Sequence, residues 1–400
     1  MKTTTASPSP AASDAPAASP TPKATVATAT PPAVSLEIEV GQMLMAGFDG
    51  TTLSEDAVHI MRDLHVGNVI LMGHNIESPA QVLALTQQLQ KTAMKQNGIG
   101  LLVATDQEGG SVQRLNDGFT RLPDALTVGN VGKPDLTEKL GAMAGSEMAA
   151  VGVNLDFAPD LDVNDNPANP VIGPRAFGST PAVVVAQGPA FAAGLRSAGV
   201  IAVGKHFPGH GNTSQNSHFE LPVVNKTVAQ LNAVELPPFV AAIEQGIDGL
   251  MAAHVAYPAL DPSGLPATVS APILGQLLRG DLNYKGLVFT DDMGMKGIAD
   301  VMSLEDASVK AIDAGADVLL CVRMTNEDGS CPPEYIDRMQ AALLAAVKDG
   351  RLTRTRVDES YQRVLALKQK STVGPASGAG LATVGDAAHE AVVAAVVGGG

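Results

Sequence analysis

Rare polar side chains end several apolar runs of this 400-residue chain, and they are of the types that move protons or attack carbon. Such groups are costly to bury without a partner or a task. An ionised carboxylate and a histidine could together cleave a glycosidic bond in two steps. The carboxylate would attack the anomeric carbon, and the histidine would protonate the leaving oxygen. Asp291 is the best nucleophile candidate, although an aspartate there could instead cap the next helix. These residues are Asp106, Asp156, Asp160, Lys205, His206, His254, Asp291 and Asp292.

The densest polar feature is the segment 205–211, which reads KHFPGHG. Imidazoles at His206, His210 and His218 could hold a metal ion, but the first two would have to share a helical face. Proline and glycine in the segment oppose a helix there. We therefore expect no metal, and we predict a strand end that runs into a polar, glycine-rich loop. Such a loop could carry His218 into and out of a site.

The elements that would position these residues alternate regularly. Eight nearly continuous apolar runs are typical of strands covered on both faces. They are 40–48, 68–72, 101–106, 154–159, 201–207, 249–255, 287–291 and 317–321. Helical patterns fill the gaps, several of them with a start signal such as Ser78 before Pro79. They are 54–64, 79–96, 135–150, 181–198, 228–245, 271–279, 303–314 and 333–348, with a final helix at about 357–370.

This alternation predicts a (β/α)8 barrel of the TIM type, with an open doubly wound sheet as the alternative. In a barrel, the carboxyl ends of all the strands meet at one mouth, so the polar residues above would converge there. The chain has no GxGxxG after its first strand and no GxxxxGK[ST]. Dinucleotide and phosphate-loop functions are therefore not indicated.

Composition excludes other classes. The formal charge is 26 − 41 = −15, so a general nucleic-acid binder is not expected. No apolar run reaches the ~18 residues of a membrane span. Cys321 and Cys331 are too few for a disulfide scaffold, and their spacing leaves open one bridge or two free thiols.

The two ends of the chain differ from its centre. Residues 1–35 are rich in Ser, Thr, Ala and Pro, which predicts a disordered stalk. Residues 372–400 are mainly Gly, Ala and Val, and we predict a flexible tail after a single catalytic domain at 36–371. A stalk favours an exported protein, with an export signal or a lipid anchor upstream of residue 1. The alternative is a cytoplasmic protein with an arbitrary extension.

Several motifs together resemble glycoside hydrolase family 3, and within it the bacterial single-domain β-N-acetylglucosaminidases. They are VGQMLM at 40–45, DQEGG at 106–110, VIG at 171–173 with Arg175 and FG at 177–178, KHFPGHG at 205–211 and FTDDM at 289–293. The resemblance covers most of residues 40–370. It implies a (β/α)8 barrel that hydrolyses small glycans ending in N-acetylglucosamine without a cofactor. We expect a monomer.

The resemblance also implies roles for single residues. Asp291 matches the nucleophile, and His218 matches the acid/base on the mobile loop. Hydrogen bonds from charged side chains bind sugar hydroxyls more strongly than hydrogen bonds between neutral groups. The residues that match the sugar-holding positions are Asp106, Arg114, Arg175, Lys205 and His206.

The chain departs from the family pattern at three positions. Asn216 stands where an aspartate usually pairs with the histidine, and Asn212 and Ser111 replace a usual Asp and Arg. Asparagine can orient the His218 ring but adds no charge, so a lower apparent pKa of the acid is expected. Glu220 could take the place of that aspartate.

These departures leave alternatives open. The favoured function is a retaining exo-β-N-acetylglucosaminidase that acts on cell-wall-type glycans. Alternatives are a phosphorylase or a β-glucosidase of the same fold, or a wall-glycan-binding protein with weakened catalysis.

Overall fold

The computed structural model describes residues 1–5, 34–322, 331–371 and 378–398. The described residues from 35 to 398 form one compact unit. Most of the predicted stalk, residues 6–33, lies outside the described residues. Among the residues that are described, no helix is both long enough and apolar enough to cross a membrane.

Eight parallel strands close into a barrel, so the predicted (β/α)8 fold is confirmed and the open sheet is excluded. The order around the barrel is β1-β10-β9-β8-β7-β6-β3-β2, and β1 pairs with β2 to close it. The barrel strands are β1 Leu44–Ala46, β2 Asn68–Ile70, β3 Leu102–Thr105, β6 Leu155–Asp156, β7 Ile201–Phe207, β8 Gly249–Ala252, β9 Leu287–Asp292 and β10 Val318–Cys321. A small antiparallel hairpin, β4 Gln107–Gly109 and β5 Val112–Gln113, follows β3.

Helices surround the barrel and supply its outer layer. They are α1 Leu36–Gln42, α2 Glu55–Arg62, α3 Pro79–Asn97, α4 Ala125–Val131, α5 Pro134–Ala150, α6 Pro181–Ser197, α7 Val228–Ala233, α8 Leu236–Glu244, a π-helix Ala271–Asp281, α9 Lys296–Ala299, α10 Leu304–Ala314, α11 Glu334–Lys348, α12 Arg354–Lys370 and α13 Ala387–Val397. Short 3-10 turns are Gly73–Asn75, Gly173–Arg175, Ala267–Val269 and Leu381–Thr383.

Alternation along the strands divides the core into two layers. One set of strand side chains, including Met45, Ile70 and Leu102, fills the inside of the barrel, where Phe157 and Phe289 meet edge to face with ring centroids 5.4 Å apart. The other set packs against the helices. These packed apolar side chains close the inside of the barrel below its mouth, so the polar residues at the strand ends lie on a well-packed core.

The first predicted strand, 40–48, is wrong in its first half. Residues up to Gln42 belong to α1, and the strand is only Leu44–Ala46. The hydroxyl of Ser35 accepts a hydrogen bond from the backbone N–H of Ile38, which begins the helix, and Glu37 and Glu39 lie in its first turn. Local capping therefore outweighs the apolar run.

The predicted helix 228–245 is two helices, α7 and α8. Pro237 and Pro238 lie in the first turn of α8, where a missing N–H costs nothing. In one continuous helix, the rings of these prolines would clash with the carbonyls of Ala233 and Val234, four residues earlier, which explains why α7 ends at Ala233.

The end of the chain differs from the expected flexible tail. Within residues 378–398, α13 packs on α4 and α5, and Val396 is fully buried. The carboxylate of Glu147 on α5 accepts hydrogen bonds from the backbone N–H of Gly385 at 2.9 Å and from Nδ1 of His389 at 2.7 Å. These contacts are distant in sequence, so local composition did not reveal them.

Candidate active site

A chain of charges crosses the mouth of the barrel from β3 to β7. The Lys205 ammonium on β7 donates to Asp106 Oδ1 at 2.8 Å and lies 2.6 Å from Glu108 Oε1. Arg175 donates two parallel hydrogen bonds to Glu108, at 2.8 and 2.9 Å. Arg114 Nε lies 3.8 Å from Asp106 Oδ2 and extends the chain outward. All five groups are brought together by strand ends and the turns that follow them.

This network holds Lys205 and Glu108 in their charged forms. Burial opposes charge at Lys205, but Asp106 and Glu108 raise the pKa of the ammonium above its ordinary value. Burial likewise opposes charge at Glu108, and Arg175 and Lys205 nevertheless lower the pKa of that carboxyl. Fixed carboxylates and cations can bind several hydroxyl groups at once, because the carboxylates accept hydrogen bonds and the cations donate them.

A second group of hydrogen bonds orients His206. Its Nδ1 lies 2.7 Å from Asp162 Oδ2, while Nη2 of Arg175 approaches its Nε2 at 3.5 Å. The other oxygen of Asp162 accepts the backbone N–H groups of His206 and His210. His206 therefore donates through Nδ1 and turns Nε2 toward the charge network.

Asp291 lies next to the last residue of β9, with one carboxylate oxygen accepting the backbone N–H of Asp292 at 2.8 Å. Burial alone would raise the pKa of Asp291, but the imidazoles of His206, His254 and His218 lower it to about 2. The carboxylate is thus ionised at neutral pH, as a nucleophile must be. Its neighbour behaves oppositely, because burial raises the pKa of Asp292 to about 8.

His218 lies on the flap, which we define as residues 209–219. The flap follows β7 and has no regular secondary structure. Oδ1 of Asn216 lies 2.9 Å from His218 Nδ1 and accepts the backbone N–H of His218 at the same distance. An acceptor at Nδ1 places the ring proton there and leaves Nε2 able to exchange protons with a ligand. Glu220, considered above as a substitute for the missing aspartate, is exposed.

The predicted residues line one cavity of about 210 Å³ at the barrel mouth. The size is below the ~300–1,000 Å³ typical of sites for larger ligands and suits a single small ring. Asn216 does not line it and acts on His218 instead. The predicted site residues in the wall are Asp106, Arg114, Arg175, Lys205, His206, His218 and Asp291.

Sequence reasoning missed three polar members of this site. Glu108 was within a quoted motif but was not assigned a role, although it alternates with Asp106 along the chain. Asp162 stands two residues after Asp160, and the same spacing could have identified it. His210 was considered only as a metal ligand, and the structure buries it at the start of the flap.

A larger groove of about 740 Å³ lies outside the barrel between α8 and the π-helix. Its walls are mostly apolar, and its acidic groups, Glu244 and Asp281, stand at the ends of the two helices. No convergence of acid, base and cation comparable to the mouth is found in its lining. The mouth is therefore the candidate active site.

One carboxylate and histidine group could hold a cation. Ligand atoms of Asp160, Asp162 and His206 lie within 4.8 Å of one another, and all three residues are buried. The hydrogen bond from His206 to Asp162 accounts for part of this proximity without an ion. Burial and the charge of Asp162 raise the pKa of Asp160 well above its ordinary value.

Comparisons with known proteins agree with this geometry. Residues 35–367 match the model of the glycosyl hydrolase family 3 N-terminal domain. A β-hexosaminidase from Alkalilimnicola ehrlichii is 43% identical over 285 residues, 70% of this chain and 80% of that protein. A β-N-acetylglucosaminidase of the same family from Paenibacillus sp. has a solved structure with a TM-score of 0.85 and 40% identity, covering 91% of this chain and 68% of that one.

A more distant relative performs a different reaction. The β-glucoside phosphorylase BglX, solved with a bound fluorinated glucose, is 26% identical with a TM-score of 0.80. The match covers 91% of this chain and 64% of that one.

Proposed function

The chain belongs to glycosyl hydrolase family 3 and is a glycoside hydrolase, and we propose that it is a retaining exo-β-N-acetylglucosaminidase acting on short cell-wall-type glycans. The observation that carries this proposal is Asp291, an ionised carboxylate facing three imidazoles in a cavity for one small ring. The names of two similar proteins, a β-hexosaminidase and a β-N-acetylglucosaminidase, support the choice of N-acetylglucosamine.

Binding would begin in the charge network. Carboxylate oxygens of Asp106 accept from sugar hydroxyls, while Lys205 and Arg175 donate to hydroxyl oxygens. Because Glu108 fixes Lys205 and Arg175, and Lys205 in turn fixes Asp106, little side-chain entropy is lost when the sugar is bound.

In the first chemical step, a carboxylate oxygen of Asp291 attacks C1 of the terminal sugar as the glycosidic bond breaks. His218 gives its Nε2 proton to the leaving oxygen. In the second step, His218 removes a proton from water, which attacks C1 and releases Asp291. Two inversions at C1 give retention, and no redox partner is needed.

A fluorinated N-acetylglucosaminyl fluoride tests the mechanism, because fluorine near C1 slows the second step and the covalent intermediate accumulates. Intact mass should rise by one sugar residue, and fragmentation should place the label on Asp291. Asp292→Asn is the matched control, since this neighbouring acid also lines the cavity. It should still be labelled, whereas Asp291→Asn should not. Label on any other residue would overturn the assignment of the nucleophile.

A phosphorylase is the second candidate, and Asn216 is the observation that favours it. A neutral amide lies 2.9 Å from His218 Nδ1, so the flap places no carboxylate there to repel a phosphate dianion. The phosphorylase BglX shows that the same barrel can accompany that reaction. Phosphorus NMR of the reaction in phosphate buffer distinguishes the two functions, because a phosphorylase forms sugar 1-phosphate in place of free sugar. A hydrolase gives only free sugar.

Two further alternatives are separated by simple assays. A β-glucosidase would favour nitrophenyl β-glucoside over the N-acetylglucosaminide in kcat/KM. A wall-glycan-binding protein without catalysis would turn over neither substrate faster than Asp291→Asn does.

We also propose that the protein is exported. Cys321 at the end of β10 forms a disulfide with Cys331. Disulfides persist mainly in oxidising compartments, so the bond supports export over a cytoplasmic location. Fractionation of expressing cells with thiol trapping tests this. An oxidised protein outside the cytoplasmic membrane is expected, and a reduced protein within the cytoplasm would contradict it.

A further inference from the structure

His210 occupies an unusual position at the root of the flap. Its ring is almost fully buried, with Nδ1 2.9 Å from the Thr213 hydroxyl and Nε2 3.0 Å from the Ser217 hydroxyl. Burial and the neighbouring His206 lower the pKa of His210 to about 4, so the ring is neutral and has one donor and one acceptor. It therefore joins the start of the flap to the residue immediately before His218.

Two further contacts fix the root of this bridge. The backbone N–H of His210 donates to Asp162 Oδ1 at 2.6 Å, and Asp162 also holds His206. Gly211 passes so close to Val163 that a side chain there would overlap the Val163 carbonyl. The root of the flap is thus fixed to the same aspartate that orients a wall residue of the cavity.

The other side of Ser217 rests on the segment after β9. Its carbonyl accepts the backbone N–H of Gly297 at 2.9 Å, and the carbonyl of His218 accepts that of Lys296 at 3.4 Å. A Cβ at Gly297 would lie only 2.9 Å from the Ser217 oxygen, so only glycine allows this approach. Ser217 is held between the His210 ring and the chain that follows the nucleophile strand.

We propose that His210 and Ser217 are positioning residues, whose hydrogen bond holds the flap down so that His218 reaches the leaving oxygen. Neither residue transfers a proton in this scheme. The inference rests on the proposed acid/base role of His218, which it deepens by naming what sets the position of that histidine. If the bridge is lost, His218 is still present but occupies the reactive position for a smaller fraction of the time.

Dependence on the leaving group separates this role from a merely structural one. A good leaving group, such as 2,4-dinitrophenolate, departs without a proton, whereas 4-methylphenolate needs one. General acid catalysis contributes about 10²–10⁴-fold, and a displaced acid loses part of that. Ser217→Ala should lower kcat/KM about tenfold for the 4-methylphenyl N-acetylglucosaminide but less than about threefold for the dinitrophenyl one.

The experiment needs three companions. His210→Gln should show the same selective loss, and the double variant should lose no more than either single variant, because one bridge is broken in each case. Ser308→Ala is the matched control, since this buried hydroxyl on α10 donates only to the Leu304 carbonyl of its own helix. It should leave both substrates unaffected. Thermal unfolding confirms that each variant is folded at the assay temperature.

His218→Ala distinguishes the two levels of the argument. If it shows no greater loss for the 4-methylphenyl substrate, the proposed acid/base role itself is wrong. If His218→Ala shows that selectivity but Ser217→Ala lowers both substrates equally, or neither, only the positioning role is overturned. Additive losses in the double variant would also overturn it.

Discussion

Two buried lysines, one at each end of the barrel, show how differently the same side chain can be used. Lys368 at the base donates to Gln42 Oε1 and to the carbonyls of Gly67 and Gly100 at 2.6–2.8 Å, which uses all three of its N–H groups. Lys205 at the mouth meets two carboxylates, Asp106 and Glu108. Among the described residues, no partner takes its third N–H, and the ammonium lies on the cavity wall.

The electrostatics follow from these partners. At the base, burial lowers the pKa of Lys368 to about 7, because its partners are dipoles and no carboxylate opposes the effect. At the mouth, the two carboxylates outweigh burial and raise the pKa of Lys205. Lys368 serves the fold by donating to buried oxygens with all of its N–H groups, whereas the charged Lys205 can use its remaining N–H to bind substrate. The same substitution should therefore mainly reduce activity at Lys205 and mainly reduce stability at Lys368.

The largest effect is expected at the mouth from Asp291→Asn. Loss of the nucleophile should lower kcat by about 10⁴-fold, by analogy with the loss of one member of a covalent catalytic unit. The barrel should remain folded, because an amide fills the same space. Steady-state kinetics and circular dichroism measure the two properties. Retention of more than a hundredth of the activity in a preparation free of wild type would contradict the proposed mechanism.

The same change in both lysines tests the comparison directly. Lys205→Met should lower kcat/KM by about 100-fold, since charged hydrogen bonds to the sugar are lost. Lys368→Met should leave kcat/KM within about twofold and reduce the free energy of unfolding by about 2–4 kcal/mol, because three buried acceptors lose their donor. Kinetics and denaturant unfolding of both variants are required. A stable but inactive Lys368→Met would break the comparison.

The raised pKa of Asp292 predicts how stability varies with pH at the mouth. A carboxyl at about 8 when folded and ~3.9 when unfolded stabilises the fold fully below the unfolded value, and this contribution is lost as pH rises through 8. The free energy of unfolding should therefore fall between pH 5 and pH 8. Asp292→Asn should flatten this slope by ~1 kcal/mol or more across the interval.

Denaturant unfolding at the two pH values measures that slope. The same change at the exposed residue Asp135 is the control and should leave the slope unchanged. A slope that is identical in wild type and Asp292→Asn would show that Asp292 is ionised throughout the interval.

The smallest effect is expected on the flap. Asn216→Asp places a carboxylate beside Nδ1 of His218, stabilises the imidazolium and moves the alkaline limb of kcat/KM to higher pH by up to ~1 unit. Asn212→Asp adds the same charge to the flap at a side chain that donates to Asp165 instead. It should leave the limb in place. Equal shifts in both variants would indicate a general charge effect rather than a pairing of residues 216 and 218.

The sequence predicted the barrel because its strands are buried on both faces and form nearly continuous apolar runs, as in β10. It also indicated which strand ends carry reactive groups, since barrel topology brings all of those ends together. The roles of Asp291 and His218 stay predictions, which the trapping experiment and the His218→Ala comparison respectively test.

Other features depended on distant contacts that a local pattern does not contain. The strand predicted at 40–48 was a helix in its first half because Ser35 caps it. The hydrogen bonds of Asp162 with His206 in β7 and with His210 in the flap join residues that are 44 and 48 positions apart. The bridge between His210 and Ser217 depends on the fold of the flap, and the spacing of Cys321 and Cys331 left both thiols and a disulfide possible.

The attachment of α13 determines where the chain can be shortened. The buried carboxylate of Glu147 also accepts hydrogen bonds from the backbone N–H and the hydroxyl of Thr120. Two of its four donors therefore belong to Thr120 and two to the segment 378–398, which includes α13. A chain that ends at residue 371 would lose the hydrogen bonds from Gly385 and His389 to this carboxylate. It would also expose the apolar surface that Val396 covers. A minimal fragment for crystallisation or engineering should accordingly run through residue 398.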